Sequence, residues 1–449
     1  MVHWARMNEK HKTDICLCID NVVNATGMLC NDALTCNVKG CSDKNHIKIL
    51  DEIFEDMKTL LIHSTDNFSH QRTNKFQIIP GWNDHVKAFH AEARKHFLSW
   101  KQQGKPQNGI LVQNMKSSRM AFKSALKECK TNEEQIRKEK LLEKLNDKNF
   151  KGFWREVCLI RNSNNNETNV VDGESDPSII ARMFSDKYKK IFANNYCSSH
   201  KLQGKDKYNS SNSIRFSTLD IKEGISKLKA GIGFDGVHSN HLKLCPESFV
   251  NLIAELLCSF SYHEHVPLNL LKGTIFPTVK NKFGDLRNSD NYRPVMSSSV
   301  FYKLFEYCIL KHISPYINLN DRQHGFRPNY STTTACIVLK ETIFNYWKSN
   351  SNVHACFIDI KKAFDSVNHE KLMKKLKQCG IPPVYVSFIR SMYMNQFAKV
   401  RFKGKISEEW QICNGVRQGG VLSGLFFSIY INSLIDKVSS LKYGCRLGI

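Results

Sequence analysis

The 449 residues, 41% of them hydrophobic, leave room for roughly two to four domains and a sizeable core. Lysine and arginine number 65 against 42 aspartate and glutamate, a formal net charge of +23. That excess is spread along the chain rather than gathered in a tail. It favours a polyanion held over a large surface, nucleic acid first, over a merely soluble basic protein.

No secretory signal opens the sequence, and the longest apolar run, 421–435, is too short and too dotted with Ser and Asn to span a bilayer. The expectation is an intracellular protein, nuclear or cytoplasmic, without a membrane partner. Its 16 cysteines are then reduced thiols rather than a disulfide framework.

Residues 1–80 stay unassigned. Cys16, Cys18, Cys30, Cys36 and Cys41 lie there with His46 nearby. Their spacing matches no paired C-x2-C arrangement, so scattered thiols are preferred to a zinc site. From Asn83, a candidate cap, Val86, Phe89, Ala93, Phe97 and Trp100 recur every three or four residues. This predicts an amphipathic helix stopped by Gly104 and Pro106. A second helical region, 110–160, closes on Phe150, Phe153, Trp154 and Val157, aromatics spaced for helix packing. After a loop at 162–178 and a helix near 178–192, the polar run 193–213 reads as a flexible linker and domain boundary.

Short helices are expected at 219–229 and 247–263. The stretch 276–295 reads as a strand, a basic turn and a return. Lys280, Lys282, Arg287 and Arg293 on it can grip a triphosphate or simply solvate a basic hairpin. In QHGFRPNYSTTTA (323–335), Gly325 and Pro328 fix a turn and Ser331 caps a helix whose inner face includes Ala335, Val338 and Leu339.

The apolar run Cys356-Phe357-Ile358 predicts a buried strand over 353–360 that ends on Asp359. A carboxylate there is costly unless paired, and a hard divalent cation such as Mg²⁺ is a natural partner. An ordinary strand-capping aspartate is the alternative. Asn368 or Ser366 caps the next helix, which turns Leu372 and Leu376 inward and stops at Gly380 and Pro382.

Beyond residue 397, Val400 and Phe402 alternate with Lys399, Arg401 and Lys403. The strand so formed has an apolar face and a basic one that can lie along a phosphate backbone. In GVRQGGVLSGLFF (415–427) the glycines let backbone approach a ligand. The helix that follows offers free N–H groups to phosphate.

In this order, NYRPV, QHGFRPNYSTTTA, FIDIKKAFDSV and GVRQGGVLS resemble the reverse transcriptase of non-LTR (LINE-type) retrotransposons, over residues 215–449. PGWNDHVKAFHAEARKHFLSW and FWREV look like the connector these elements place between endonuclease and polymerase. The resemblance implies an α+β fold of right-hand polymerase type, with fingers at 214–348 and a partial palm at 349–449. The palm is expected to be an antiparallel sheet with helices. A mainly helical connector (81–192) and a linker (193–213) precede it.

It also implies an RNA-directed DNA polymerase that takes an RNA template, a DNA target as primer, dNTPs and two Mg²⁺ ions. Asp359 matches the first catalytic carboxylate, binding both ions, with the Ile360 carbonyl as a further ligand. Phe364 matches the aromatic gate that rejects a 2′-hydroxyl by a clash. Gln418 and Gly419 match the loop at the incoming nucleotide, and Arg293 with Lys280 (or Lys282) the cations on its phosphates. Arg327, Lys399 and Arg401 are implied template or primer contacts. Asp365 is expected to be structural, a turn and cap residue.

Two departures stand out. Gly424 replaces the proline the family usually has, which predicts a looser first helical turn. A Tyr-x-Asp-Asp hairpin is expected after the last helix, yet no Asp follows Asp436. The expectation is therefore a chain lacking the second carboxylate pair and the thumb, with little or no polymerase activity of its own. Two alternatives are a non-catalytic nucleic-acid-binding remnant and an intron-encoded or telomerase-type reverse transcriptase.

Overall fold

A computed structural model describes residues 4, 7, 9–26, 32–36, 38, 41–65, 84–150, 152–154, 156–157, 170–193, 214–441 and 443–445. The chain divides into two units, Gln71–Thr168 and the combination of Met1–His70 with Asn169–Ile449.

The smaller unit is helical. Helices Asp84–Gln102 and Ile110–Thr131 enclose Val86, Ala125 and Cys129, with Phe89, Phe122 and Leu126 around them. A third helix, Glu133–Asn146, adds Ile136 to this small core. Asn83, the expected cap, lies outside the described residues. Gly104 ends the first helix with a φ of 76°, and the Trp100 indole N–H donates to the Pro106 carbonyl at 3.0 Å. The expected apolar face is only half used, because Phe97 is exposed. So are Phe150 and Trp154, which the sequence assigned to packing. Helical spacing identifies a face but not whether a neighbour covers it.

In the larger unit, Ile15, Ile19, Val23, Leu34 and the buried face of the helix that follows belong to the main core. Asp43 caps helix Lys44–His63 by accepting from the Asn45 N–H at 2.8 Å. Leu50, Ile53, Phe54, Met57 and Leu61 fall on one side of that helix and are buried. Burying each contributes about 1.5–3 kcal/mol. Phe54 sits between Phe260 of helix Glu247–Tyr262 and Phe301 of helix Val300–Ile313, with ring centroids 6.4 and 5.5 Å away.

Five strands form one sheet: β1 (Lys272–Val279), β2 (Tyr292–Ser298), β3 (Phe397–Phe402), β4 (Lys405–Ile406) and β5 (Trp410–Gln411). The order is β2-β1-β3-β4, with β5 also paired to β3. β1 and β2 are an antiparallel hairpin, but β1 and β3 are parallel, Ile275 opposite Val400. The sheet is thus mixed, not the antiparallel layer expected. β1 leads through β2 and a long, largely helical stretch to β3, which makes the crossover that parallel neighbours require. The expected alternation in β3 is present, with Ala398 and Val400 buried and Arg401 exposed.

Helix Pro177–Phe192, expected to close the connector, covers this sheet instead. Its Ile180, Phe184, Tyr188 and Phe192 cluster with Ile275, Tyr292, Met296, Val400 and Trp410. The linker proper, 194–213, lies outside the described residues.

Two expected elements differ more sharply. Residues 351–360 form neither helix nor strand, and Phe357 and Ile358 are 82% and 87% exposed. A strand exists only as part of a ladder, and this segment has none among the described residues. Ser331 does cap helix Thr332–Lys348 in a capping box with Thr334. That helix nevertheless has no buried residue, and its expected inner-face Val338 and Leu339 are exposed. Among the described residues, no helix is long and apolar enough to cross a membrane. From Ser423 on, the 421–435 run lies in helix Ser423–Ser440 and buries Phe426 and Ile429.

Candidate active site

The loop leading into helix Ser423–Ser440 is tied down nearly residue by residue. Gly415 N–H donates to the Val367 carbonyl at 2.7 Å and Val416 N–H to the Phe364 carbonyl at 2.9 Å. The Gly415 carbonyl in turn pairs with His369 Nε2 at 2.7 Å. The Gln418 carbonyl accepts from Met296 N–H of β2 at 2.9 Å, and Val421 N–H donates to Glu306 Oε2 at 2.8 Å. Arg417 is buried, donates to the Leu271 carbonyl, and lies 3.9 Å over the Tyr302 ring. Gly419 has a φ of 114°, and a Cβ there would come within 3.0 Å of the Met296 carbonyl oxygen. Glycine is therefore required for the loop to run this close to β2.

These bonds bring Phe364, Asp365 and Gln418 together. Gln418 Nε2 donates to Asp365 Oδ1 at 2.8 Å. Asp365 is buried, and burial pushes its carboxyl above the usual carboxylate range. The Gln418 bond and the charges of Lys362 and Lys280 oppose that push. Asp365 lies in a turn, as expected, but its side chain bonds Gln418 rather than capping, and Asn368 caps the next helix through Lys371 N–H.

The Phe364 ring lies between Phe326 and Phe427, each centroid 5.4 Å away. Gly424 admits this stack: a Cβ there would sit 2.5 Å from Phe326 Cδ1. The residue expected to loosen the helix start makes room for an aromatic neighbour.

Glu306 braces the same loop from helix Val300–Ile313. Burial pushes its carboxyl up to about 7, against the pull of the Val421 N–H and the Arg417 charge. Neither Arg417 nor Glu306 was distinguished by its sequence context. Arg417 lies inside the Gly-rich motif and Glu306 in an apolar helical run, and nothing in either context marks the residue for burial; only the fold brings the Arg417 charge to bear on Glu306.

The remaining candidates are scattered around this cluster. Arg293 is exposed on β2, opposite Thr278. Lys280 follows β1, and its ammonium donates to the Asp290 carbonyl at 2.7 Å. Arg327 is engaged by its own loop, donating to the Asn320 carbonyl and Asp321 and stacking 4.3 Å from the Tyr330 centroid. That usage leaves it less available to a template phosphate than expected. Arg401 is exposed and Lys399 half-buried on β3.

Asp359 and Ile360 are exposed on the unpaired 351–360 segment, and no hydrogen bond joins Asp359 to the cluster among the described residues. The buried, strand-end carboxylate read from the sequence is therefore corrected to a solvent-facing one.

Residues 280–446 match the family of reverse transcriptases (RNA-dependent DNA polymerases). This stretch is a reverse transcriptase domain. The chain is 22% identical over 229 residues to the "Retrovirus-related Pol polyprotein from type-2 retrotransposable element R2DM" of Drosophila melanogaster, covering 51% of the chain and 21% of that protein. It is 26% identical over 180 residues to the corresponding type-1 R2 polyprotein of Popillia japonica, covering 40% and 25%. To the "Probable RNA-directed DNA polymerase from transposon X-element" of D. melanogaster it is 30% identical over 206 residues, covering 45% and 22%.

Residues 280–446 thus match reverse transcriptases, a family of nucleotidyltransferases, and the chain is similar to polymerases of non-LTR retrotransposons, spanning a quarter or less of these relatives' lengths. Reverse transcriptases use divalent metal ions and nucleic-acid templates. In this domain, Asp359 belongs to no group of three or more metal-ligating side chains among the described residues. Two-metal chemistry holds a pair of ions about 3.5–4 Å apart. The described residues do not assemble a site for such a pair.

Proposed function

We propose that the chain forms the fingers and the front of the palm of a non-LTR retrotransposon's RNA-directed DNA polymerase. In the intact element this polymerase would copy an RNA template from a primer supplied by the DNA target, inside the nucleus or cytoplasm. The observation that carries the proposal is the convergence of Phe364, Gln418 and Gly419 in one hydrogen-bonded cluster beside the β1–β2 hairpin. Phe364 lies beneath the sugar and excludes the 2′-hydroxyl. Gln418 and Gly419 meet the incoming dNTP, while Lys280 and Arg293 neutralise its phosphates. Lys399 and Arg401 lie along the template–primer backbone, where each cation adds to a salt-dependent affinity.

The family's metal is Mg²⁺, and the described residues leave its ligand set incomplete. The chain alone therefore binds nucleotide and nucleic acid but adds little or no nucleotide. Titration of the full chain with fluorescent dATP and ATP analogues tests this. The deoxy form should bind more tightly, Phe364→Val should erase the difference, and Gln418→Ala should weaken both. Equal binding of the two analogues that neither variant changes would overturn the assignment. On poly(rA)/oligo(dT) with Mg²⁺, no Asp359-dependent synthesis is expected. The exposure of Asp359 favours one rival, a nucleic-acid-binding remnant, for which RNA binding would persist with no nucleotide response in either variant.

A further inference from the structure

We propose that Cys36, Cys41, His46 and His263 form a structural zinc site that clamps residues 32–65 onto helix Glu247–Tyr262. Their ligand atoms all lie within 4.8 Å of one another. His46 Nδ1 is 3.7 Å from Cys41 Sγ and 3.4 Å from His263 Nε2. With Zn–S near 2.3 Å and Zn–N near 2.0–2.1 Å, a tetrahedron places neighbouring donors about 3.3–3.8 Å apart. Two edges of the polyhedron are already at coordination length.

The protonation pattern points the same way. His263 is buried, and its Nδ1–H donates to the Ser259 carbonyl at 2.8 Å, which leaves Nε2 as a bare lone pair. That lone pair faces His46 Nδ1, which also faces the Cys41 sulfur. A single proton on His46 Nδ1 satisfies only one of these neighbours, whereas a cation at their common centre satisfies all of them. On the far side of His46, Nε2 is 4.0 Å from the Asp43 carboxylate. The Ser259 carbonyl behind His263 is the kind of outer partner that orients a metal-binding histidine, and the Asp43 carboxylate stands near the other imidazole without bonding it.

The local chain explains how the site assembles. Cys36 follows the short helix Asp32–Thr35, Cys41 precedes the capping Asp43, and His46 lies in the first turn of Lys44–His63. The Cys36-to-Cys41 interval of four residues falls at the upper end of zinc-loop spacings. The fourth donor, His263, is the C-cap of helix Glu247–Tyr262 and far away in sequence. Direct contacts flank the site: Ser259 Oγ donates to the Leu34 carbonyl at 3.1 Å, and His265 pairs with Asp51 at 2.8 Å. Two free thiols and two imidazoles with no position left open suit structural zinc rather than a catalytic or oxygen-loving ion.

The experiment uses the full chain, purified with zinc in the medium. Elemental analysis should return one zinc per chain, and cobalt exchange should give the intense visible bands of a tetrahedral two-thiolate site. Cys36→Ser with Cys41→Ser should abolish both. His263→Cys keeps four ligands, so it should retain one metal while its cobalt bands shift toward a three-thiolate spectrum, which a loss of folding cannot produce. Wild-type chain without zinc or a tetrahedral cobalt spectrum would overturn the site. Full retention in the double serine variant, or an unshifted His263→Cys spectrum, would place the metal among the other cysteines and equally refute it.

Discussion

The loop at 415–422 and the segment at 351–360 both carry family motifs, and the fold treats them in opposite ways. The first is held by β2, the Phe364–Val367 turn and helix Val300–Ile313, so even its arginine is buried. The second is more apolar at its centre, yet Phe357 and Ile358 lie open to solvent. The difference is not hydrophobicity. It is whether another element packs against each stretch among the described residues. A loop can be stitched by several short bonds to different elements. A strand needs one continuous neighbour, and a lone extended segment gains nothing from β propensity.

The largest effect that would test this contrast is at Arg417. Replacing it with Ala removes the bond to the Leu271 carbonyl and the contact with Tyr302. It also takes a positive charge away from buried Glu306. Losing a buried hydrogen bond to a charged group costs about 1.5–3 kcal/mol. Urea denaturation of Arg417→Ala should show a fall of that size. A loss under about 1 kcal/mol would mean that the loop is not braced as described.

Glu306 gives the contrast a pH axis. Its carboxyl titrates at about 7 in the fold, against an ordinary value of 4.5. Between those values the folded chain keeps a proton that the unfolded chain has lost. Stability should therefore fall as pH rises from about 4.5 to 7 and then level off. Glu306→Gln cannot titrate but still accepts from Val421 N–H, so its stability curve should lack that slope. An unchanged slope in the variant would assign the pH dependence to another group.

What could be read from the sequence was local or periodic. Asn368 as a cap, Leu372 and Leu376 as an inward pair, Ser331 as a cap, and the alternation in β3 all depend on neighbours within a turn or two. The convergence of Phe364 and Gln418 was accessible only through the resemblance, since nothing in either segment specifies the other. Three features were beyond reach for one physical reason. The partner of Arg417, the lack of any buried residue on helix Thr332–Lys348 among the described residues, and the histidine beside the Cys36–Cys41 pair all depend on which distant parts of the chain meet. The mixed sheet belongs with these, because strand direction follows from the crossover and not from the strands.

A middle-sized effect is expected at Gln418. Ala there leaves the Asp365 carboxyl buried without its donor, at a cost of about 1–3 kcal/mol. Asp365 should then titrate still higher, observable by NMR of its carboxyl carbon. Gln418→Glu should destabilise more, since it sets a second carboxylate against the first. Gly424→Ala should produce a smaller loss. The new Cβ meets Phe326, and overpacking of this kind costs about 1–3 kcal/mol, partly offset by about 1 kcal/mol of helix propensity. Adding Phe326→Leu should recover the loss, a coupling measurable by a double-mutant cycle.

The smallest expected effect is the most decisive for the second region. In a buried central strand, Phe357→Ala would cost about 3–5 kcal/mol. On a segment as exposed as this one, the same change should stay within about 0.5 kcal/mol of wild type, as should Asp359→Ala. Small effects at both positions would show that the carboxylate motif takes no part in the stability of this chain, whatever it does when other strands meet it. A large loss at Phe357 alone would mean that the segment finds a partner in solution, and the comparison with the 415–422 loop would then fail.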